Sequence, residues 1–149
     1  MFYFTVKAFR PDALDLRIVE IMEEDCSLGY REVAEKLGKN IWNVRDRIIH
    51  LKDRGIIKKC KADVNYSEMG LKCRALLSFN LPAENIDPFI SFTKSENMFK
   101  RLIITTGQRR FHLEAVAEDC NDIRLYAMRK FPDFKVYDVE FEVILDNPL

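Results

Sequence analysis

Between Lys39 and Lys61 the chain places eight basic residues against two acidic ones, Asp46 and Asp53, a net charge of +6. Over its 149 residues, 24 Lys and Arg balance 24 Asp and Glu. Residues 1–38 hold five positives and eight negatives and residues 62–149 hold eleven and fourteen, so each flank is −3. A basic island in a neutral chain sets up a local field that the net charge hides, and a polyanion is the partner such a field selects. Interleaved with the charges are Asn40, Trp42, Asn43 and His50. Asn and Arg have the geometry for bidentate contacts to adenine and guanine edges in the major groove. The bland alternative for a charge run is a solvated helix face.

The residues around the island show how it must be held. Leu14, Ile18, Ile21 and Met22 lie on one face of a helix that Asp12 can cap, and the polar EEDCSLG closes it. Val33, Ala34 and Leu37 form the apolar face of a second, short helix from Tyr30, followed by Gly38 at the position of a left-handed terminator. Asn40 then caps a third helix, in which Ile41, Val44, Ile48 and Leu51 make a buried stripe and Gly55 supplies the stop. Two helices joined by a short glycine turn, the second basic on its outer side, make a helix-turn-helix. The first turns of the second helix are where bases are met, which selects Asn40, Trp42, Asn43, Arg45 and Asp46 as base contacts. Arg47 and His50 are expected along the phosphates. Tyr30 and Arg31 join the set from the preceding helix. Ile56 to Val64 has strand character, and as a wing its Lys58 and Lys59 would reach the backbone.

After the turn-rich residues 63–71 the apolar period changes. Strands are expected over 72–81, 99–106, 110–117 and 134–145, with helices over 85–94, started by Asp87 and Pro88, and from Asp119 to Lys130. The order is β-α-β-β-α-β, the split βαβ or ferredoxin-like pattern. Its own two helices cover one face of such a sheet, and a second copy of the chain is the simplest cover for the other, hence an expected homodimer. The fold class is therefore α+β: a winged helix-turn-helix over 1–62, a linker over 63–71, and a βαββαβ assembly domain over 72–149. Residues 1–10 are left open as an arm, an extra strand or a disordered segment.

Several classes are set aside by what the chain lacks. No apolar run approaches the roughly 18 residues of a membrane span, and no small-residue cleavage site follows the opening MFYFTVKAFRP, so a membrane partner and a signal peptide are not expected. Cys26, Cys60, Cys73 and Cys120 show no C-x-x-C spacing and read as buried free thiols of a cytoplasmic protein rather than a disulfide frame or a metal site. There is no phosphate-cradling Gly-rich loop and no nucleophile elbow, and the two histidines are His50 and His112, so no catalytic residue and no enzyme activity is expected.

With these residues in place, the chain resembles the Lrp/AsnC family of transcription regulators, also called feast/famine regulatory proteins. The resemblance is carried by Asp12-x-x-Asp15, Arg17-Ile-Val19, the run from Tyr30 to Gly38, Val44-x-x-Arg47-Ile48, Leu51, Arg54-Gly-Ile-Ile57, Met69-Gly70 and Thr106-Gly107. It implies a winged helix-turn-helix that binds double-stranded DNA, dimers that often build octamers, and control by an amino acid bound between effector domains. On that basis Thr106, Gly107, Gln108, Arg109 and Arg110 are the candidate effector residues, with no other cofactor. The chain departs from the family pattern in four places. Cys26-Ser27 stands where Gly-Arg is usual, Lys39 replaces an apolar residue, and Trp42 replaces a small one. Gly107 is followed by Gln-Arg-Arg where an aspartate about three residues on is usual. The last departure makes an acidic ligand, or none, as good an expectation as an amino acid. Two alternatives accompany the regulator: an interaction module that no longer binds DNA, and a tetrapyrrole decarboxylase of the same fold using His112, Tyr126 and Tyr137.

Overall fold

The computed structural model describes residues 9–149, so all but the end of the 1–10 segment lies outside the described residues. The chain divides into two compact units, Met1–Asp63 and Val64–Leu149. The described residues of the first contain three helices, α1 (Ala13–Glu24), α2 (Tyr30–Leu37) and α3 (Ile41–Asp53). Asp12 and Asp15 form a reciprocal capping box at the start of α1: the Asp15 N–H donates to Asp12 Oδ1 at 2.9 Å and the Asp12 N–H to Asp15 Oδ2 at 3.0 Å. α1 ends at Glu24, five positions before Gly29, which caps α2, its N–H donating to the Glu32 carboxylate at 2.7 Å. The α2–α3 turn depends on Gly38, whose φ of +60° is the left-handed conformation that lets the N–H of Lys39 close back onto Ala34 O at 3.0 Å. Ile18, Met22, Val33, Ala34, Leu37, Val44, Ile48 and Leu51 form one buried cluster, so the stripes read at helical spacing do meet. Ala34 is small where α2 and α3 pack against each other.

The segment after α3 differs from expectation. No strand forms among the described residues of this unit, and residues 56–64 run as unpaired chain. A strand needs a neighbour for its N–H and C=O groups. Here the N–H groups of Ile56 and Ile57 instead turn back to Leu51 O at 3.0 and 3.2 Å, and Ile57 packs on the helical core. Cys60 is joined to Cys26 of the α1–α2 loop, with Cα atoms 5.6 Å apart. In the second unit Cys73 is joined to Cys120, Cα atoms 5.2 Å apart. The free-thiol expectation is therefore corrected. Both pairs lie within the ~4.4–6.8 Å that a disulfide spans, and with partners 34 and 47 positions apart no local spacing announces them.

The second unit runs β1 (Cys73–Asn80), α4 (Ile86–Ser95), β2 (Phe99–Ile104), β3 (Phe111–Ala117), α5 (Cys120–Lys130) and β4 (Tyr137–Val143). The strands form one sheet in the order β2-β3-β1-β4, every neighbouring pair antiparallel. Both helices pack on one face of this sheet, as the rule of right-handed crossovers expects. Toward them point Ala75, Leu77 and Phe79 of β1 and Phe111, Leu113 and Ala115 of β3, packed with Phe89, Ile123 and Phe131. Period-two alternation leaves Arg74, Leu76 and Ser78 opposite Val116, Glu114 and His112 on the other face. Helix α4 starts at Ile86, earlier than Asp87–Pro88 suggested, because a single 3-10 turn at Ala83–Asn85 leads into it. Pro88 still sits in the first turn, where a missing N–H costs nothing.

Candidate nucleic-acid interface

Helix α3 is fixed at its start by Asn40, whose Oδ1 accepts the N–H of Trp42 at 2.8 Å and of Asn43 at 3.4 Å. Burial of Val44, Ile48 and Leu51 then turns Trp42, Asn43, Arg45 and Asp46 to solvent. Trp42 is 63% exposed, and the Arg45 guanidinium lies over its ring at 5.7 Å from the centroid. An indole left this far in water at a helix start contributes nothing to the core. It is a contact surface in waiting.

The groups expected to line the phosphates have other occupations. Arg47 Nη1 donates to both carboxylate oxygens of Asp12 at 2.7 and 2.6 Å and to Asp15 Oδ1 at 3.0 Å, while its Nε donates to Asn43 Oδ1 at 3.1 Å. Hydrogen bonding from Arg47, then from the Asp15 backbone, holds the Asp12 carboxyl below its usual value. The Arg47 guanidinium is held above its own, first by the bond to Asp12. Arg47 thus ties α3 to the first turn of α1. His50 packs edge-on against Phe9, ring centroids 4.7 Å apart, and Arg54 lies over the same ring at 5.4 Å. Lys58, Lys59 and Lys61 are exposed on the segment that the Cys26–Cys60 bond anchors, and Tyr30 and Arg31 are exposed on the first turn of α2. The signal for Arg47's role was present in Asp12-x-x-Asp15, but only the fold brings that pair to residue 47.

The candidate effector residues lie at the β2–β3 turn. Asn80, at the end of β1, spans this turn: its Nδ2 donates to Gln108 O at 2.8 Å and its Oδ1 accepts the Arg110 N–H at 3.0 Å. Gly107, Gln108 and Arg109 line an open cleft of about 400 Å³ with Ser78, His112 and Glu140, whereas Thr106 and Arg110 do not line it. Arg109 is neutralised within its own chain, donating to Glu140 at 2.8 Å, to Asp138 Oδ1 at 3.3 Å and to the Asp138 carbonyl at 3.0 Å. Asp138 itself takes a positive φ of 56° beside the break in register between β1 and β4. The inversion of charge expected from Arg109 and Arg110 is therefore largely cancelled by β4. His112 is held between Ser78 Oγ at 2.9 Å and Thr105 Oγ1 at 3.1 Å. Tyr126 stands on the helix side of the sheet, near Phe92 and Phe99, with burial raising its phenol pKa. The histidine and this tyrosine are not brought together.

A three-helix unit with a glycine-turned helix pair and an exposed, basic third helix, joined to a four-stranded βαββαβ unit, defines a DNA-binding helix-turn-helix protein with a separate α+β domain. Residues 11–58 match the winged helix-turn-helix DNA-binding family model. The transcriptional regulator AzlB of Bacillus subtilis is 28% identical over 116 residues, 76% of this chain and 74% of that protein. Among solved structures, B. subtilis LrpC superposes with a TM-score of 0.80 at 21% identity, covering 93% of this chain and 97% of that one. A transcriptional regulator of Neisseria meningitidis, NMB0573, solved as a complex with L-Met, gives 0.81 at 17% identity, covering 94% and 93%. The structural likeness establishes the shared fold. Residues 11–58 thus carry a winged helix-turn-helix DNA-binding domain, and the chain is similar to Lrp-type transcription regulators. No described helix is long and apolar enough to cross a membrane.

Proposed function

We propose that this protein is a sequence-specific regulator of transcription that acts as a homo-oligomer in the cytoplasm, with α3 entering the major groove. The observation that carries this reading is the exposed outer face of α3, where Trp42, Asn43, Arg45 and Asp46 stand clear of a closed helical core. Lys58 and Lys59 supply phosphate contacts from the anchored segment, and Tyr30 and Arg31 do so from the start of α2. Residues 1–62 form the reading module and 72–149 the assembly module, the sheet face without helices being covered by a second copy.

The cleft at the β2–β3 turn is the effector site in this reading. Because Arg109 is already paired with Asp138 and Glu140, the cleft favours a ligand with a cationic group over a purely acidic one. An amino acid, as in the L-Met complex of the Neisseria neighbour, supplies such a group. Fluorescence anisotropy of labelled duplexes, with and without an amino-acid mixture, tests both claims. Binding must weaken steeply with salt, with a log–log slope near −0.9 per phosphate neutralised. Salt-insensitive binding, or none, refutes the regulator and favours the interaction module.

A further inference from the structure

The outer face of α3 offers several side chains suited to bases, yet its own bonds occupy most of them. Asn40 turns its carbonyl oxygen back to its helix, and the Asn43 carbonyl oxygen accepts from Arg47. A bidentate contact to adenine needs both the amide oxygen and the amide nitrogen. Arg47 is bound to two carboxylates. Among the expected base contacts Trp42, Arg45 and Asp46 keep their recognition surfaces open, and Trp42 and Arg45 lie three residues apart on one side of the helix. The cation–π contact between them, at 5.7 Å, orients the Arg45 fork without using any of its five N–H donors.

We propose that Trp42 and Arg45 form one composite reader of a guanine adjacent to a thymine on the same strand. This rests on the regulator reading and specifies the sequence that it recognises. Arg45 donates two parallel bonds to guanine O6 and N7, the commonest specific contact in the major groove. The indole supports the guanidinium on one side and, on its open side, packs against the C5-methyl of the neighbouring thymine. That methyl is the apolar mark by which the major groove distinguishes thymine. Of the two, Arg45 carries guanine choice directly and Trp42 carries thymine choice while positioning Arg45.

The test is selection from a randomised duplex pool by the full-length protein, its Arg45→Ala and Arg45→Gln variants, and its Trp42→Ala and Trp42→Phe variants. Both positions are exposed, so all five proteins must give the same far-ultraviolet spectrum. The parent is expected to enrich an invariant guanine next to a thymine. Either Arg45 variant removes the guanine preference, a loss of roughly 5- to 150-fold in discrimination. Trp42→Ala flattens the thymine position and weakens the guanine one; Trp42→Phe retains part of both. In the selected duplex, 7-deazaguanine must weaken the parent but not Arg45→Ala, and deoxyuridine for thymine must weaken the parent but not Trp42→Ala. As the chain's single tryptophan, Trp42 must also change its emission on binding the selected duplex. If the variants enrich the parent's own motif, the composite reader is wrong while the regulator stands. If the parent itself enriches nothing, both fall.

Discussion

Replacing Arg47 with Ala separates two tasks that an arginine on a recognition helix can have. In the structure Arg47 is a latch, reaching from the middle of α3 to Asp12 and Asp15 at the start of α1. Asp12 is exposed, so its share of the attraction is screened by water and carries little weight. Asp15 is different: its side chain is 9% exposed, and without Arg47 its remaining bond is to the Asp12 N–H. A charge-assisted hydrogen bond contributes about 1.5–3 kcal/mol; with Arg47 itself 30% exposed, the expected loss is about 1–2 kcal/mol. In a unit of this size each kcal/mol lowers Tm by about 4–8 °C.

The pH dependence has a definite sign. The folded-state pKa of Asp12 is depressed by Arg47 and by the Asp15 backbone, so the latch is complete above the ordinary aspartate value near 3.8 and is lost as pH falls through the lower folded value. The Asp12 share of the stability gap between parent and Arg47→Ala is thus full at neutral pH and is lost in acid. Asp12→Asn, which keeps a competent N-cap, should reproduce the Asp12 share of that gap at neutral pH only. Calorimetry with hydrogen exchange in α1 and α3 measures the gap, and duplex binding at two salt concentrations runs beside it. If Arg47→Ala unfolds with the parent while its salt slope falls by about one, Arg47 is a phosphate contact and the latch is refuted.

Four further outcomes follow from other features of the fold. Gly38→Ala should cost about 1–2 kcal/mol by backbone strain alone, since φ is +60° and an added Cβ meets nothing within 4 Å; denaturant titration measures it. Phe89→Ala removes a fully buried ring that touches Phe79, Phe131 and Phe134, and should cost about 3–5 kcal/mol, read as lost hydrogen-exchange protection in β1 and β3. Denatured, unreduced protein should take up no thiol-alkylating reagent. Changing both Cys26 and Cys60 to Ser should cost about 3–4 kcal/mol for a loop of 34 residues.

What could be read without the fold follows from local physics. Ile41, Val44, Ile48 and Leu51 recur at helical spacing, and the structure buries the last three completely. Asp12 and Asn40 were legible as caps because a cap is a bond between residues two or three apart, whereas Asp87, read as a cap, lies inside the helix that starts at Ile86. The strand expected after Gly55 failed because strand character in nine residues says nothing about whether a neighbour exists to pair with. The cysteines failed for the same reason. Arg109 was read as unpaired charge because its partners, Asp138 and Glu140, follow it by 29 and 31 positions.

The sequence by itself therefore determined the helices, their caps, the glycine turn, the βαββαβ order and the position of the basic island, all of which depend on neighbours within about four residues or on simple periodicity. Tertiary structure alone decided which charges remain available. It spent Arg47 on Asp12 and Asp15, spent Arg109 on β4, anchored the lysine segment through Cys26–Cys60, and left Trp42 and Arg45 open on the surface of α3. The reason is that a charge acts on whatever the fold brings within a few ångströms, and distance along the chain does not measure that.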